Sequence, residues 1–193
     1  MNKSYSIIAP AKLNLNLFIK GKSSNGMHLL ESDICFLELA DKIFFKFNEK
    51  DILLQSKKNK SLQIDPTNNL ILESLNAFRH LTSWNKKFEI YLDKHIPIGA
   101  GLGGGSADAA ATLILLRKLF NDERKSKVVS ITDLYEIADN LGSDIPACLE
   151  SKDLKGYKKY LNEAKSYGYT GILNVHPSQC DLANKLFYPT KKE

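Results

Sequence analysis

The run Pro97-Ile98-Gly99-Ala100-Gly101-Leu102-Gly103-Gly104-Gly105-Ser106-Ala107 places five glycines in seven positions, directly ahead of a helix-forming stretch. With no side chains in the way, backbone N–H groups of such a run can converge on an anion. The N-terminus of the helix behind it adds partial positive charge, so phosphate is the natural ligand. A Walker loop needs Lys after its last glycine, and Gly105 holds that place here. Gly99, Gly101 and Gly104 satisfy G-x-G-x-x-G, but the strand ahead of them, Phe88–Leu92, ends several residues before Gly99. A dinucleotide fingerprint turns tightly off its strand, so a dinucleotide site is the second reading of this loop.

Two shorter constellations accompany the loop. Pro10-Ala11-Lys12-Leu13-Asn14 sets a lysine at the start of a strand whose other face is apolar; alone, Lys12 reads as an edge lysine guarding a sheet. Leu141-Gly142-Ser143-Asp144-Ile145-Pro146 fixes Asp144 between a helix C-cap and a proline; alone, it reads as a turn aspartate.

The elements that must position these residues follow from periodicity. Ser6–Ala9, Leu13–Ile19, Leu30–Leu39, Lys42–Phe47 and Phe88–Leu92 read as strands, and Gly21–Gly26 carries turn chemistry. Asp65–Asn69 stops the chain ahead of a helix with Leu70, Ile71, Leu75 and Phe78 on one face. Ala107–Phe120 is a helix with Ser106 as N-cap and Asp108 in its first turn, and Thr132–Asn140 is another, closed by Leu141-Gly142. Strands followed by helices predict an α+β fold, a mixed sheet packed on helices, and not alternating βα units. Beyond it, Asp153–Tyr167 predicts a helix, Gly171–Val175 a short strand, and His176 onward a last helix through Phe187.

Of 193 residues, 43% are hydrophobic and 25% charged, which excludes wholesale disorder and disulfide or collagen scaffolds. The net charge of +5 is unevenly placed: residues 1–150 carry 19 basic and 18 acidic side chains, residues 151–193 carry 8 and 4. The excess belongs to the tail, so net charge gives the body no nucleic-acid reading. Cys35, Cys148 and Cys180 have no CxxC spacing and read as reduced thiols. No apolar run approaches a membrane span and no signal peptide is visible, so the expected location is cytoplasmic. His80 and His95 read as surface residues, and Trp84 with Phe36, Phe44, Phe45 and Phe47 as core or sheet-face residues.

In order and spacing, Pro10–Asn14, Pro97–Ala107 and Leu141–Pro146 together resemble the galactokinase, homoserine kinase, mevalonate kinase and phosphomevalonate kinase superfamily. Within it they are most similar to kinases of non-mevalonate isoprenoid biosynthesis that act on a cytidine diphosphate-linked polyol. Gly26-Met27-His28 looks like the Gly-Tyr-His turn of those kinases with Met27 in place of the aromatic, and Asn68–Ile71 fits their Asn-Leu-Ile helix start. The resemblance spans about residues 5–149. It implies a ribosomal protein S5 domain 2-like kinase N-terminal domain over residues 1–150 and transfer of the γ-phosphoryl group of ATP to the 2-hydroxyl of that polyol. On this reading residues 97–107 cradle the ATP phosphates, with Ser106 supporting them or a Mg²⁺ ion. Asp144 accepts the hydroxyl proton, Lys12 holds Asp144 ionised and neutralises the γ-phosphoryl group, and Asn14 and His28 contact the cytidine diphosphate end of the substrate. The partner implied is a small molecule, with neither nucleic acid nor membrane.

The likeness stops near residue 150. The expected glycine-rich continuation into a second kinase domain is replaced by Ser151–Tyr157, and residues 151–193 read as a foreign helix-strand-helix tail. From about residue 152 the chain resembles the C-terminal end of the citrate lyase β-subunit and malyl-CoA lyase family, without that family's acidic Mg²⁺ ligands or catalytic Arg. His176 then reads as a strand-end structural residue.

Overall fold

The computed structural model describes residues 3–22, 28–57, 60–63, 69–124 and 128–152. The chain divides into two compact units, Met1–Ala11 with Leu39–Glu150, and Lys12–Glu38 with Ser151–Glu193. The helices and strand expected beyond Asp153, with His176 and Cys180, lie outside the described residues.

The elements are β1 (Ser4–Asn14), β2 (Phe18–Lys22), β3 (His28–Glu31), β4 (Ile34–Asn48), β5 (Ile52–Lys57), β6 (Lys60–Gln63), α1 (Leu70–Thr82), β7 (Lys87–Asp93), α2 (Gly104–Glu123), α3 (Ile131–Leu141) and α4 (Ile145–Leu149). A mixed five-stranded sheet runs in the order β1-β4-β7-β5-β6, and β2 and β3 form a separate antiparallel pair. In the large sheet β4 pairs antiparallel with β7, β5 parallel with β7, and β6 antiparallel with β5. The α+β expectation holds.

Alternation decides which face of the sheet is buried. Ile43 and Phe45 on β4, Phe88, Ile90 and Leu92 on β7, and Leu53 on β5 are all buried, and their neighbours along each strand point away. Against them pack Ile71, Leu75 and Phe78 of α1 and Leu113, Leu116 and Phe120 of α2 in one continuous cluster. Trp84, buried, sits among Phe78, Phe88 and Phe120 with ring centroids 5.7–6.3 Å away, as expected of a core aromatic. His80 and His95 are exposed.

Four boundaries differ from the sequence reading. Lys42–Phe47 is not a separate strand but the end of the long β4, and the strand expected over Leu30–Leu39 is broken at Ser32 and Asp33 between β3 and β4. The strand expected over Leu13–Ile19 breaks, although its alternation continues. Asn16 Oδ1 accepts the backbone N–H of Asp33 at 2.8 Å, and Leu15 N–H donates to the carbonyl of Asp33 at the same distance, so hydrogen bonds to the turn ahead of β4 interrupt the strand between β1 and β2. Helix α2 begins at Gly104, three residues before the expected start, with Gly103 as N-cap. The left-handed backbone of Gly103 (φ 61°) makes the turn into the helix without a capping side chain, so Ser106 is not the cap and lies inside the helix. Asp108 in consequence falls past the first turn.

Candidate functional site

The glycine run leaves the sheet at the end of β7 and returns as α2, with residues 94–103 between them. That separation is too long for the tight strand-to-helix turn of a dinucleotide fingerprint. Gly99, Gly101 and Gly103 all have positive φ, and no side chain caps α2, so its first amides have no side-chain acceptor. Gly104 and Gly105 line a cavity of about 370 Å³ together with Pro97, Ile98 and Gly99, with Asn69, Leu70 and Ile71 at the start of α1, and with Gln55, Leu92, Lys94 and Asp108. The volume lies in the range of small-ligand sites. Asn69 is the N-cap of α1, its Oδ1 accepting the Ile71 N–H at 2.9 Å, so the cavity wall at that point is fixed by the chain itself.

At one side of the cavity lies a buried charge cluster that the sequence reading did not assign. Lys94 Nζ donates to Asp41 Oδ2 at 2.5 Å and to Asp108 Oδ2 at 2.8 Å. Asp41 Oδ1 accepts the backbone N–H groups of His95 at 2.5 Å and Ile96 at 2.8 Å. Asp41 is fully buried, Asp108 nearly so, and Lys94 is 13% exposed. Asp108 Oδ1 is buried without a hydrogen-bond partner. Gly104 packs closely here: a Cβ would sit 3.0 Å from Ile96 Cγ2 and 3.1 Å from Lys94 Nζ, tight enough that these neighbours would have to give way. The helix start is thereby pressed onto the residues that Asp41 holds.

The Asp108 carboxyl is pushed up to about 7, first by burial and then by the Asp41 carboxylate, against the downward pull of the Lys94 ammonium. Lys94 is held above its usual value: burial alone would lower it, and the charges of Asp108 and Asp41 outweigh that. The folded protein therefore keeps a proton on Asp108 that the unfolded chain has lost between about pH 4 and 7, so this group makes stability fall as pH rises through that window, at about 1.4 kcal/mol per unit. Urea denaturation at pH 5 and pH 8 should show the higher midpoint at pH 5, and Asp108→Asn should remove most of that difference.

Of the residues expected to form the site, Pro97, Ile98, Gly99, Gly104 and Gly105 are gathered on the cavity. Ser106 is half-buried in the first turn of α2, Ala107 is buried, and Ala100 and Gly101 are exposed on the loop. Asp144 is the N-cap residue of α4 and is half-buried, and Cys148 N–H donates to its carbonyl at 3.1 Å. In the other unit Lys12 is buried near the end of β1, and its Nζ donates to Asn14 Oδ1 at 2.8 Å, so it is not a solvated edge lysine. His28 begins β3, paired with Lys22; its side chain lies outside the described residues, as does Met27. Among the described residues no group of three or more His, Cys, Asp or Glu could hold a metal ion, and no helix is long and apolar enough to cross a membrane.

Residues 69–152 match the family described as GHMP kinases N terminal domain. The chain is 41% identical over 139 residues to a 4-diphosphocytidyl-2-C-methyl-D-erythritol kinase of Shewanella baltica, covering 72% of this chain and 46% of that protein. It is 33% identical over 175 residues to the protein of the same name from Granulibacter bethesdensis, covering 88% of this chain and 56% of the relative. The chain thus spans about half the length of the curated relatives it matches. At 88% coverage the second match runs past residue 151, and these matches give no support to a lyase likeness of the tail. A crystal structure of 4-(cytidine 5'-diphospho)-2C-methyl-D-erythritol kinase superposes with a TM-score of 0.58 at 30% identity, covering 76% of this chain and 49% of that one. Sheet, helices and glycine loop together carry the fold of a GHMP kinase N-terminal domain.

Proposed function

We propose that the protein is an ATP-dependent small-molecule kinase that phosphorylates the 2-hydroxyl of 4-diphosphocytidyl-2-C-methyl-D-erythritol in non-mevalonate isoprenoid biosynthesis. The observation that carries the reading is the cavity formed by the glycine loop, the uncapped start of α2 and the start of α1, in a chain whose relatives are named for this kinase. Phosphoryl transfer asks for positioning and charge neutralisation more than covalent chemistry. The amides at the start of α2 receive phosphate oxygens and the helix dipole favours their charge. The remaining volume, between Leu70, Ile71, Leu92 and Gln55, takes the nucleoside. Of this chain's residues the Ser106 hydroxyl would support a Mg²⁺ ion, which would supply charge neutralisation on the ATP phosphates when bound.

The roles of the other residues rest on the likeness of their motifs. Asp144 accepts the proton of the attacking hydroxyl, Lys12 neutralises charge on the γ-phosphoryl group, and Asn14 and His28 contact the cytidine diphosphate end of the substrate. Burial of Lys12 and the hydrogen bond from its Nζ to Asn14 Oδ1 support a lysine held in place rather than one waving in solvent.

The test is a coupled assay of ADP release with 4-diphosphocytidyl-2-C-methyl-D-erythritol, with the product located by ³¹P NMR. Phosphate on the 2-hydroxyl supports the reading. ATP binding without substrate-dependent ADP release would reduce it to a nucleotide-binding protein.

A further inference from the structure

We propose that Asp41 is the positioning residue of the nucleotide loop: through its charge it fixes Lys94, His95 and Ile96, and through them the spacing between the glycine turn and the start of α2. The inference rests on the ATP-site reading for its functional meaning, and on the charge cluster alone for its geometry.

The register of the sheet places Asp41 for this task. The ladder between β4 and β7 ends with Lys42 opposite Asp93, so Asp41 stands where β7 has just left the sheet. There the carboxylate takes over from the ladder. Oδ1 accepts two consecutive backbone N–H groups, those of His95 and Ile96, while Oδ2 accepts from the Lys94 ammonium. Three successive residues leading to Pro97 are thus gathered on one fully buried side chain.

A neutral residue could satisfy two amides at less desolvation cost, so the charge needs its own account. It lies in the partners. Lys94 bridges Asp41 to Asp108 of α2, and the start of that helix packs closely on it, a Cβ on Gly104 falling 3.1 Å from Lys94 Nζ and 3.0 Å from Ile96, so the position of Lys94 bears on how α2 meets the loop. Among the described residues the charged groups that face Asp108 are Lys94, from the segment after β7, and Asp41, from β4; Gln55 of β5 and Asn69 ahead of α1 are neutral. Asp41 therefore acts on the cavity twice, by holding the loop and by setting the charge balance around Asp108.

The wild-type protein carries the first test. In native-state hydrogen exchange the amides of His95 and Ile96 should be protected to the same degree as those of β7; exchange at the rate of an open loop overturns the proposal. The second uses Asp41→Asn, whose amide oxygen can still accept both N–H groups but whose NH₂ opposes the Lys94 ammonium. In that variant the amides of His95 and Ile96 should exchange faster than in the wild type while those of β7 keep their protection, because only the segment gathered by the Asp41 charge is loosened. A variant that only disturbs packing would lose protection across β4 and β7 as well. ATP affinity should fall about tenfold, the loss of one charge-assisted contact. Unchanged exchange at His95 and Ile96 overturns the proposal, whatever happens to affinity; so does loss spread evenly over β7, and so does ATP affinity equal to that of the wild type. Failure of the wild type itself to take up ATP would remove the site reading, while the exchange results still decide the role of Asp41.

Discussion

Lys94→Met is expected to lower stability by about 3–5 kcal/mol, the loss found when one partner of a buried ionic cluster is removed. Two carboxylates, one fully buried and the other 5% exposed, share that ammonium, and both would be left without a cation. Methionine fills much of the volume of the lysine stem, so the loss reports charge and hydrogen bonds more than a cavity. It should also depend on pH. Asp108, already pushed up to about 7, loses the cation that holds it down and takes up a proton, which relieves part of the repulsion on the acidic side. The measurement is the urea midpoint of both proteins at pH 5 and pH 8, with the larger difference expected at pH 8. A loss under about 1 kcal/mol at both pH values would place the cluster among weak surface pairs and remove it from the account of the loop.

Asp144→Asn is expected to lower the rate of phosphoryl transfer by about 10²–10⁴-fold, the range for a general base, while ATP affinity changes little. The amide preserves the shape of the side chain, and the cap of the five-residue helix, the Cys148 N–H on the Asp144 carbonyl, is made by the backbone and is kept. The check is a single-turnover rate beside an ATP titration of the same protein. Equal rates in wild type and variant would show that the hydroxyl proton leaves by another route. Parallel loss of rate and ATP affinity would make Asp144 a binding residue and not a base.

The glycine loop was legible because its chemistry is local: glycine density, the proline before it and the helix behind it lie within a dozen residues of sequence. Strand β7 and the two ends of β4 were legible through their alternation, though not the continuity of β4 between them, and the long apolar pairs of β4 and β7 set the core. The charge cluster was not legible. Asp41, Lys94 and Asp108 stand 53 and 14 residues apart, and each alone looks like an ordinary surface charge. The register of β4 against β7 brings Asp41 beside Lys94, and the packing of α2 brings Asp108 to the same ammonium. The start of that helix was misplaced because sequence rules look for a serine cap, while a glycine with left-handed backbone needs none. The break after Asn14 was hidden for a related reason. Leu13, Leu15 and Leu17 keep a period of two, and the interruption comes from Asn16 bonding the backbone of Asp33, a partner seventeen residues away.

Titration of isotope-labelled protein with Mg·ATP, followed by backbone amide NMR, tests most directly whether the cavity behind the glycine loop is a nucleotide site. Saturable shifts should concentrate at Asn69–Ile71, Lys94–Gly99 and Gly104–Asp108, the segments that line it. Absence of saturable shifts in these segments, or their appearance elsewhere in the chain, would contradict the account.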